Sequence, residues 1–263
     1  MVTDVLARSG TALRHKLRRM VRSEQSLREK LRQTIGHASE ADLDILRAVR
    51  PYTMTSNERL WALLEAVRYV HKRGLAGDFV ECGVWRGGSS MAAAMGFRDL
   101  GDFSRDLWLF DTFEGMSEPT DFDVRLDSGE PAIEKWRRTR EREDAETANW
   151  CAASLEDVTR NLGLTGYPAE RVHYVQGKVE ETLLKPENAP AKISILRLDT
   201  DWYESTKVEM EILFERLEPG GVLILDDYGH WAGAKKAVDE FLATQPPYLM
   251  HRIDYSGRML VKA

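Results

Sequence analysis

Apolar residues along the chain follow two rhythms. In "SNERLWALLEAVRYVHKRG" they recur every three or four positions, so Leu60, Leu63, Leu64, Val67 and Val70 share one face of a helix that Gly74 can end. In five short stretches they run unbroken: "GDFVECG", "DLWLFD" (106–111), "RVHYVQG" (171–177), "KISILRLD" (192–199) and "GGVLILDD" (220–227). Continuous apolar runs suit strands buried on both faces. Helical stretches separate most of them: "SLEDVTRNLGL" before the third, "STKVEMEILFERL" before the fifth, "AGAKKAVDEFLA" after it. This alternation predicts an α/β fold, a mostly parallel sheet covered by helices on both faces. The tail "YLMHRIDYSGRMLVKA" reads as two strands joined at Ser256-Gly257, an antiparallel hairpin on the sheet edge.

Two regions depart from that pattern. The chain opens with a strongly basic stretch, "LRHKLRRMVRSEQSLREKLRQ", in which Leu13, Leu17, Met20/Val21, Leu27 and Leu31 stand near helical spacing. It reads as an amphipathic arm that packs on the body or on a second subunit; a helix for a membrane surface or RNA is the rival. Residues 112–153, between the second and third strands, are too many for a plain connection. Their helix-compatible part, "PAIEKWRRTREREDAETANW", is mostly charged and suits a solvated helix, a lid over the carboxyl ends of the strands, or both. The expected organisation is therefore an N-terminal helical arm (1–50) and one domain (51–263) with a lid insertion at 112–153.

Composition narrows the setting. The chain has 263 residues, 43% hydrophobic and 30% charged, as in a folded globular protein. A formal charge of -6 argues against nucleic acid as the main partner. Cys82 and Cys151 are too few for a disulfide framework and suit reduced thiols in the cytoplasm. No apolar run approaches the length of a transmembrane helix, and no signal-peptide core opens the chain.

"DFVECGVWRGGSS" joins a strand to a helix start through Gly83, Gly87 and Gly88. Glycines admit close approach of a ligand, and free N–H groups at the helix start favour an anion. The spacing is not the G-x-G-x-x-G of dinucleotide sites, since Trp85 and Arg86 fill that region. A carboxylate suits this looser loop, with Ser89 or Ser90 as hydrogen-bond donors and Glu81 as acceptor for an ammonium group. An amino-acid end carries both groups, as S-adenosylmethionine does. Asp111, closing the second strand, is placed to accept two ribose hydroxyls, a device that NAD would share, and an N-cap is its simpler role.

The fourth and fifth strands end in acid: Asp199 and Asp201 on one, Asp226 and Asp227 on the other. Neighbouring parallel strands lie about 4.8 Å apart, so Asp199, Asp226 and Asp227 can converge. Three carboxylates together repel unless a divalent cation joins them, and an all-oxygen set favours Mg²⁺, with Ca²⁺ or Mn²⁺ next. Asp201, just outside the strand, is placed to take a proton from a hydroxyl acidified by that cation; His230 is a second candidate base.

"ECGVWRGGSS", "LFDTFEGM", "WCAASLEDV", "GYPAERVHYVQGKVEETL", "LRLDTDWYEST" and "GGVLILDDYGHWAGAKKAVDEF" together resemble the macrocin O-methyltransferase family over roughly residues 50–263. The resemblance implies a class I methyltransferase that uses S-adenosylmethionine and Mg²⁺, acts on sugar hydroxyls of glycosylated natural products such as antibiotics, and forms a homodimer or higher homo-oligomer. It implies metal ligands at Asp199, Asp226 and Asp227 and a general base at Asp201. The methionine end falls on Glu81, Gly83 and Ser89, the ribose on Asp111, and the adenine near Gly177, Lys178 and Val179. The wider fold is similar to that of catechol O-methyltransferase, whose lysine base has no match beside Asp199. Two other classes compete: an NAD-linked oxidoreductase or sugar-modifying enzyme on a similar sheet, and a non-catalytic scaffold using the basic arm. The missing dinucleotide loop counts against the first and the intact aspartates against the second.

Overall fold

A computed structural model of the chain describes residue 29, residues 31–142 and residues 145–263. Its centre is a seven-stranded sheet built from β1 (Asp78–Cys82), β2 (Leu107–Asp111), β5 (Val172–Gln176), β6 (Ile193–Leu198), β7 (Leu217–Leu225), β8 (His251–Arg252) and β9 (Arg258–Val261). The spatial order is β5-β2-β1-β6-β7-β9-β8, parallel from β5 to β7 and antiparallel at β9 and β8. All five unbroken apolar runs are strands of the parallel part, as their composition predicts. Strand order reverses between β1 and β6, and the crevice beyond their carboxyl ends is where open sheets of this kind bind ligands.

Alternation along the strands divides the core in two. Phe79, Leu109, Ile195, Val222 and Ile224 face one layer, with α1 (Glu40–Val49), α2 (Asn57–Lys72), α3 (Gly88–Asp99) and α5 (Leu155–Gly163). Val80, Cys82, Leu196, Leu198, Leu223 and Leu225 face the other, with α7 (Tyr203–Arg216) and α8 (Ala232–Leu242). Leu60, Leu63, Leu64, Val67 and Val70 of α2 are all buried, and Ser56 caps this helix by accepting from the Arg59 N–H. Leu31 and Ile35 join the same layer as α1, so the described end of the N-terminal segment packs on the body. The rest of the expected arm, residues 1–28 and 30, lies outside the described residues, and with it the helix expected on Leu13, Leu17, Met20/Val21 and Leu27. Among the described residues no helix is long and apolar enough to cross a membrane.

The edge hairpin forms with a longer turn than a Ser256-Gly257 junction. Asp254 takes over the turn: its carboxylate accepts from the Ser256 and Gly257 N–H groups at 2.9 and 2.6 Å, leaving residues 253–257 outside either strand.

Residues 112–153 form a small unit of their own: β3 (Met116–Ser117), α4 (Ala132–Thr139) and β4 (Thr147–Ala148), with β3 and β4 antiparallel. Trp136 of α4 is buried and donates to the Met116 carbonyl at 2.9 Å. The unit is tied to the sheet's carboxyl edge by Asp123, fully buried, whose carboxylate accepts from the Tyr203 and Thr120 N–H groups at 2.8 and 2.7 Å. Gly233 makes room for this contact, since a Cβ there would meet the Asp123 Oδ1 at 1.8 Å. Bonds from Leu126 N–H to the His230 carbonyl and from Ala232 N–H to the Val124 carbonyl, both 2.9 Å, extend the tie.

Candidate active site

The strand β1 ends at Cys82, and the chain must turn at once beside the end of β6. Gly83 allows it: its φ is +82°, and a Cβ would meet the Asp199 carbonyl oxygen at 2.0 Å. The loop that follows is held from below by Asp111, whose Oδ2 accepts from the Val84 and Trp85 N–H groups at 2.7 and 3.0 Å while Oδ1 accepts from Phe113 N–H at 2.7 Å. Burial raises the Asp111 pKa against the pull of these bonds. Gly83, Asp111, Gly177, Val179, Asp199 and Asp201 line one cleft, which encloses about 720 Å³ of empty space.

A second cleft, about 860 Å³, adjoins the first at Asp199 and Asp201. Ser89, Asp226, Asp227 and His230 line it, with Lys135 and Trp150 from the insertion and Trp231 and Tyr255 beyond them. Asp199 and Asp201 are thus shared by both clefts. Of the residues expected around the methionine end, Ser89 opens onto the second cleft, its Oγ 3.4 Å from that of Thr55. Glu81 lines neither cleft: it sits beneath them, its two oxygens engaged by Arg197 at 2.5 Å and by Ser90. Burial pushes the Glu81 carboxyl up to about 7, with Arg197 and Ser90 pulling the other way. Sequence alone leaves Glu81 as an open acceptor for an ammonium group; the fold supplies it with internal donors.

Asp199, Asp226 and Asp227 converge, each offering one oxygen, and these oxygens lie within 4.8 Å of one another. The Asp227 Oδ2 is buried without a hydrogen-bond partner. A buried, unpartnered carboxylate oxygen is costly, and a hard divalent cation would satisfy it. The donor set, all oxygen and all anionic, fits Mg²⁺. The Asp201 and Asp227 carboxyls lie beside one another. Burial, then the negative neighbours Asp199 and Asp123, pushes the Asp201 carboxyl up to about 6. Asp227 is raised well above the carboxylate range by burial and by Asp201. Asp201 also holds a left-handed backbone, φ +70°, a conformation that Asp tolerates better than bulkier residues. His230 packs edge-on against Trp231 and Tyr255, and burial together with Arg125 lowers its pKa, favouring the neutral ring.

Sequence reading missed the cations. Arg197, 1% exposed near the carboxyl end of β6, pairs with Glu81, Asp199 and Asp226. Arg59 of α2 pairs with Asp226 and Asp254. The only signal for Arg197 is one charged residue inside the apolar run "SILRLD", where a buried guanidinium demands acidic partners. Lys135, which has no ion pair among the described residues, places its Nζ 3.9 Å from the centre of the Trp150 ring. Trp150, Trp202 and Trp231 meet edge to face behind it.

Comparison with known proteins places this architecture. The family model for macrocin-O-methyltransferase (TylF) matches residues 8–260. The 8-demethyl-8-(2,3-dimethoxy-alpha-L-rhamnosyl)-tetracenomycin-C 4'-O-methyltransferase of Streptomyces olivaceus is 36% identical over 201 residues, covering 74% of this chain and 72% of that protein. The demethyldecarbamoylnovobiocin O-methyltransferase of Streptomyces niveus is 32% identical over 196 residues, covering 73% and 68%. Among solved structures, the O-methyltransferase NovP superposes with a TM-score of 0.66 at 30% identity, covering 80% of this chain and 82% of that one. A calicheamicin methyltransferase superposes with a TM-score of 0.61 over 91% and 92%, but at 19% identity, a likeness of fold alone.

Proposed function

The chain belongs to the macrocin-O-methyltransferase family and is a methyltransferase of class I fold, and from that premise we propose that it methylates a sugar hydroxyl of a glycosylated natural product. S-adenosylmethionine is the donor, in the cleft of Gly83, Asp111, Gly177 and Val179; the acceptor occupies the cleft of Trp150, Trp231 and His230. One observation carries this assignment: Asp199 and Asp201 stand where the two clefts meet, so a single cluster faces both reactants.

Asp199, Asp226 and Asp227 would hold Mg²⁺, which when bound supplies positive charge that makes a nearby hydroxyl more acidic. Asp201 takes the proton from the acceptor hydroxyl on its carboxylate, leaving an oxygen nucleophile at the cleft junction. That oxygen attacks the sulfonium methyl in line; the C–S bond breaks, its electron pair stays on sulfur, and S-adenosylhomocysteine leaves. The sulfonium loses its charge in this step, so the chain's main tasks are alignment and proton removal. Holding both reactants in register supplies up to about 7–11 kcal/mol in favourable cases. The Trp wall and Lys135 orient the acceptor, and the insertion that carries Lys135 and Trp150 acts as the lid. The same assignment includes a homodimer or larger homo-oligomer and a reducing cytoplasm in which Cys82 and Cys151 stay free thiols.

Calorimetric titration tests the donor site. S-adenosylhomocysteine is expected to bind in the micromolar range and NAD not at all; NAD binding without S-adenosylhomocysteine binding would overturn this assignment of the cleft.

A further inference from the structure

We propose that Arg197 is a positioning residue that assembles the cation-binding carboxylates before a cation arrives and ties them to Glu81 behind. The proposal rests on the assignment of Asp199, Asp226 and Asp227 as the cation site.

Strand register explains how one guanidinium reaches so many groups. Glu81, Arg197 and Ile224 are side-by-side partners on β1, β6 and β7, so their side chains leave the same face of the sheet. Asp199 and Asp226 lie two residues further on, just past the ends of β6 and β7, where the ladder continues from Asp199 N–H to the Cys82 carbonyl and from Asp226 N–H to the Leu198 carbonyl, so they share that face. Arg197 is thus ringed by acids from three adjacent strands. Its Nη1 donates to Glu81 at 2.5 Å and to Asp199 at 2.7 Å; its Nη2 donates to Thr55 Oγ1 at 2.9 Å and to Asp226. Each Nη carries two protons, so all four are used, on four separate segments of the chain.

The remaining contacts show what this grip controls. Asp226 gives Oδ1 to Arg197 and Oδ2 to Arg59, so both orientations of its carboxylate are fixed from behind. Asp199 is held by Arg197 through Oδ2. Asp227, by contrast, has a buried oxygen with no partner. Two of the three carboxylates are therefore set by guanidinium groups, and the third is left open. Carboxylate oxygens keep a second lone pair, so a bond to Arg197 does not bar ligation. A lysine cannot replace the fork, because one ammonium offers three protons from a single point.

Charge and geometry give opposite signs here, which makes the proposal testable. Arg197 is a positive charge beside a cation site, so by Coulomb repulsion alone its removal should tighten cation binding. If Arg197 instead positions the ligands, removal loosens the triad and weakens binding.

The experiment titrates Mn²⁺ into the full-length enzyme and its variants, reading free Mn²⁺ by electron paramagnetic resonance, with thermal melts to confirm folding. Arg197→Met is expected to weaken Mn²⁺ binding by at least about tenfold, as for other groups that orient metal ligands. Arg197→Lys should not restore it. Thr55→Val, which changes no charge, should weaken binding by about threefold through loss of one hydrogen bond. A folded Arg197→Met that binds Mn²⁺ as tightly as the parent, or more tightly, overturns the proposal. If that variant does not fold, parental affinity in both Arg197→Lys and Thr55→Val overturns it equally. An unmutated enzyme that takes no Mn²⁺ would instead sink the cation site itself, and the proposal with it.

Discussion

Four aspartates at two strand ends are held differently. Asp199, Asp226 and Asp227 converge on one point, whereas Asp201 takes a left-handed backbone beside Asp227 and is the proposed base. Replacing Asp201 by Asn keeps the shape and removes the proton acceptor. Turnover should fall by about 10²–10⁴-fold, the usual worth of a positioned base, with S-adenosylhomocysteine affinity unchanged within about threefold. Calorimetry and a methyl-transfer assay on the same preparation check this; an active Asn variant would pass the role to His230. The convergence of the acids was legible because two neighbouring strands both end in them, although helix caps or solvated carboxylates would also suit such positions. Arg197 was not, because one basic residue in an apolar run gives no hint of which acids it meets until register is known.

Secondary-structure elements carry the site through two close contacts. Gly83 sits against the Asp199 carbonyl, so Gly83→Ala must push β1 and β6 apart at the strand ends while forcing alanine into a left-handed conformation. A loss of more than about 2 kcal/mol in stability is expected, readable by urea denaturation, because a clash and a strained backbone add. Asp123 holds the insertion to the start of α7. Asp123→Ala leaves the buried Tyr203 N–H unpaired at a cost of about 1–3 kcal/mol, and should speed proteolysis within residues 112–153. If the insertion shapes the acceptor cleft, the same variant raises KM for the acceptor and leaves donor affinity intact; an unchanged KM would separate the insertion from acceptor binding. The parallel strands could be placed because burial on both faces leaves an unbroken apolar run, and α2 because one apolar face recurs at helical spacing. The insertion could not, since its folding depends on tertiary contacts: Asp123 reaches α7, and Trp150 packs on Trp202 and Trp231.

At the scale of the whole molecule, the two ends of the sheet do different work. The carboxyl edge collects acids that repel, while the opposite edge is knit together by Asp102, which bonds Ser104, His71 and Arg105. Burial would raise the Asp102 carboxyl, but these three bonds outweigh it and bring the pKa down to about 2. A depressed carboxylate adds stability above its unfolded pKa and loses it as pH falls through the folded value. Stability should therefore decline between about pH 4 and pH 2, and Asp102→Asn should flatten that decline by on the order of 1 kcal/mol after allowance for solvent screening. Melting curves of both proteins across that range decide it; parallel profiles would remove Asp102 from the acid transition. The overall fold was readable from the alternation of strands and helices, and the glycine turn and Asp111 pointed to residues that line one cleft, though Glu81 and Ser89 fall outside it. Which face of the sheet each acid shares became visible only with the strands side by side.

As proposed, the two clefts meet at a cation-assisted methyl-transfer centre. The most direct test supplies labelled S-adenosylmethionine and a panel of glycosylated natural products to the enzyme, with Mg²⁺ and after chelation. One methyl group should appear on a sugar hydroxyl, vanish on chelation and return with added Mg²⁺. Methylation that persists unchanged in the metal-free enzyme, or label that lands on the aglycone alone, would contradict the account.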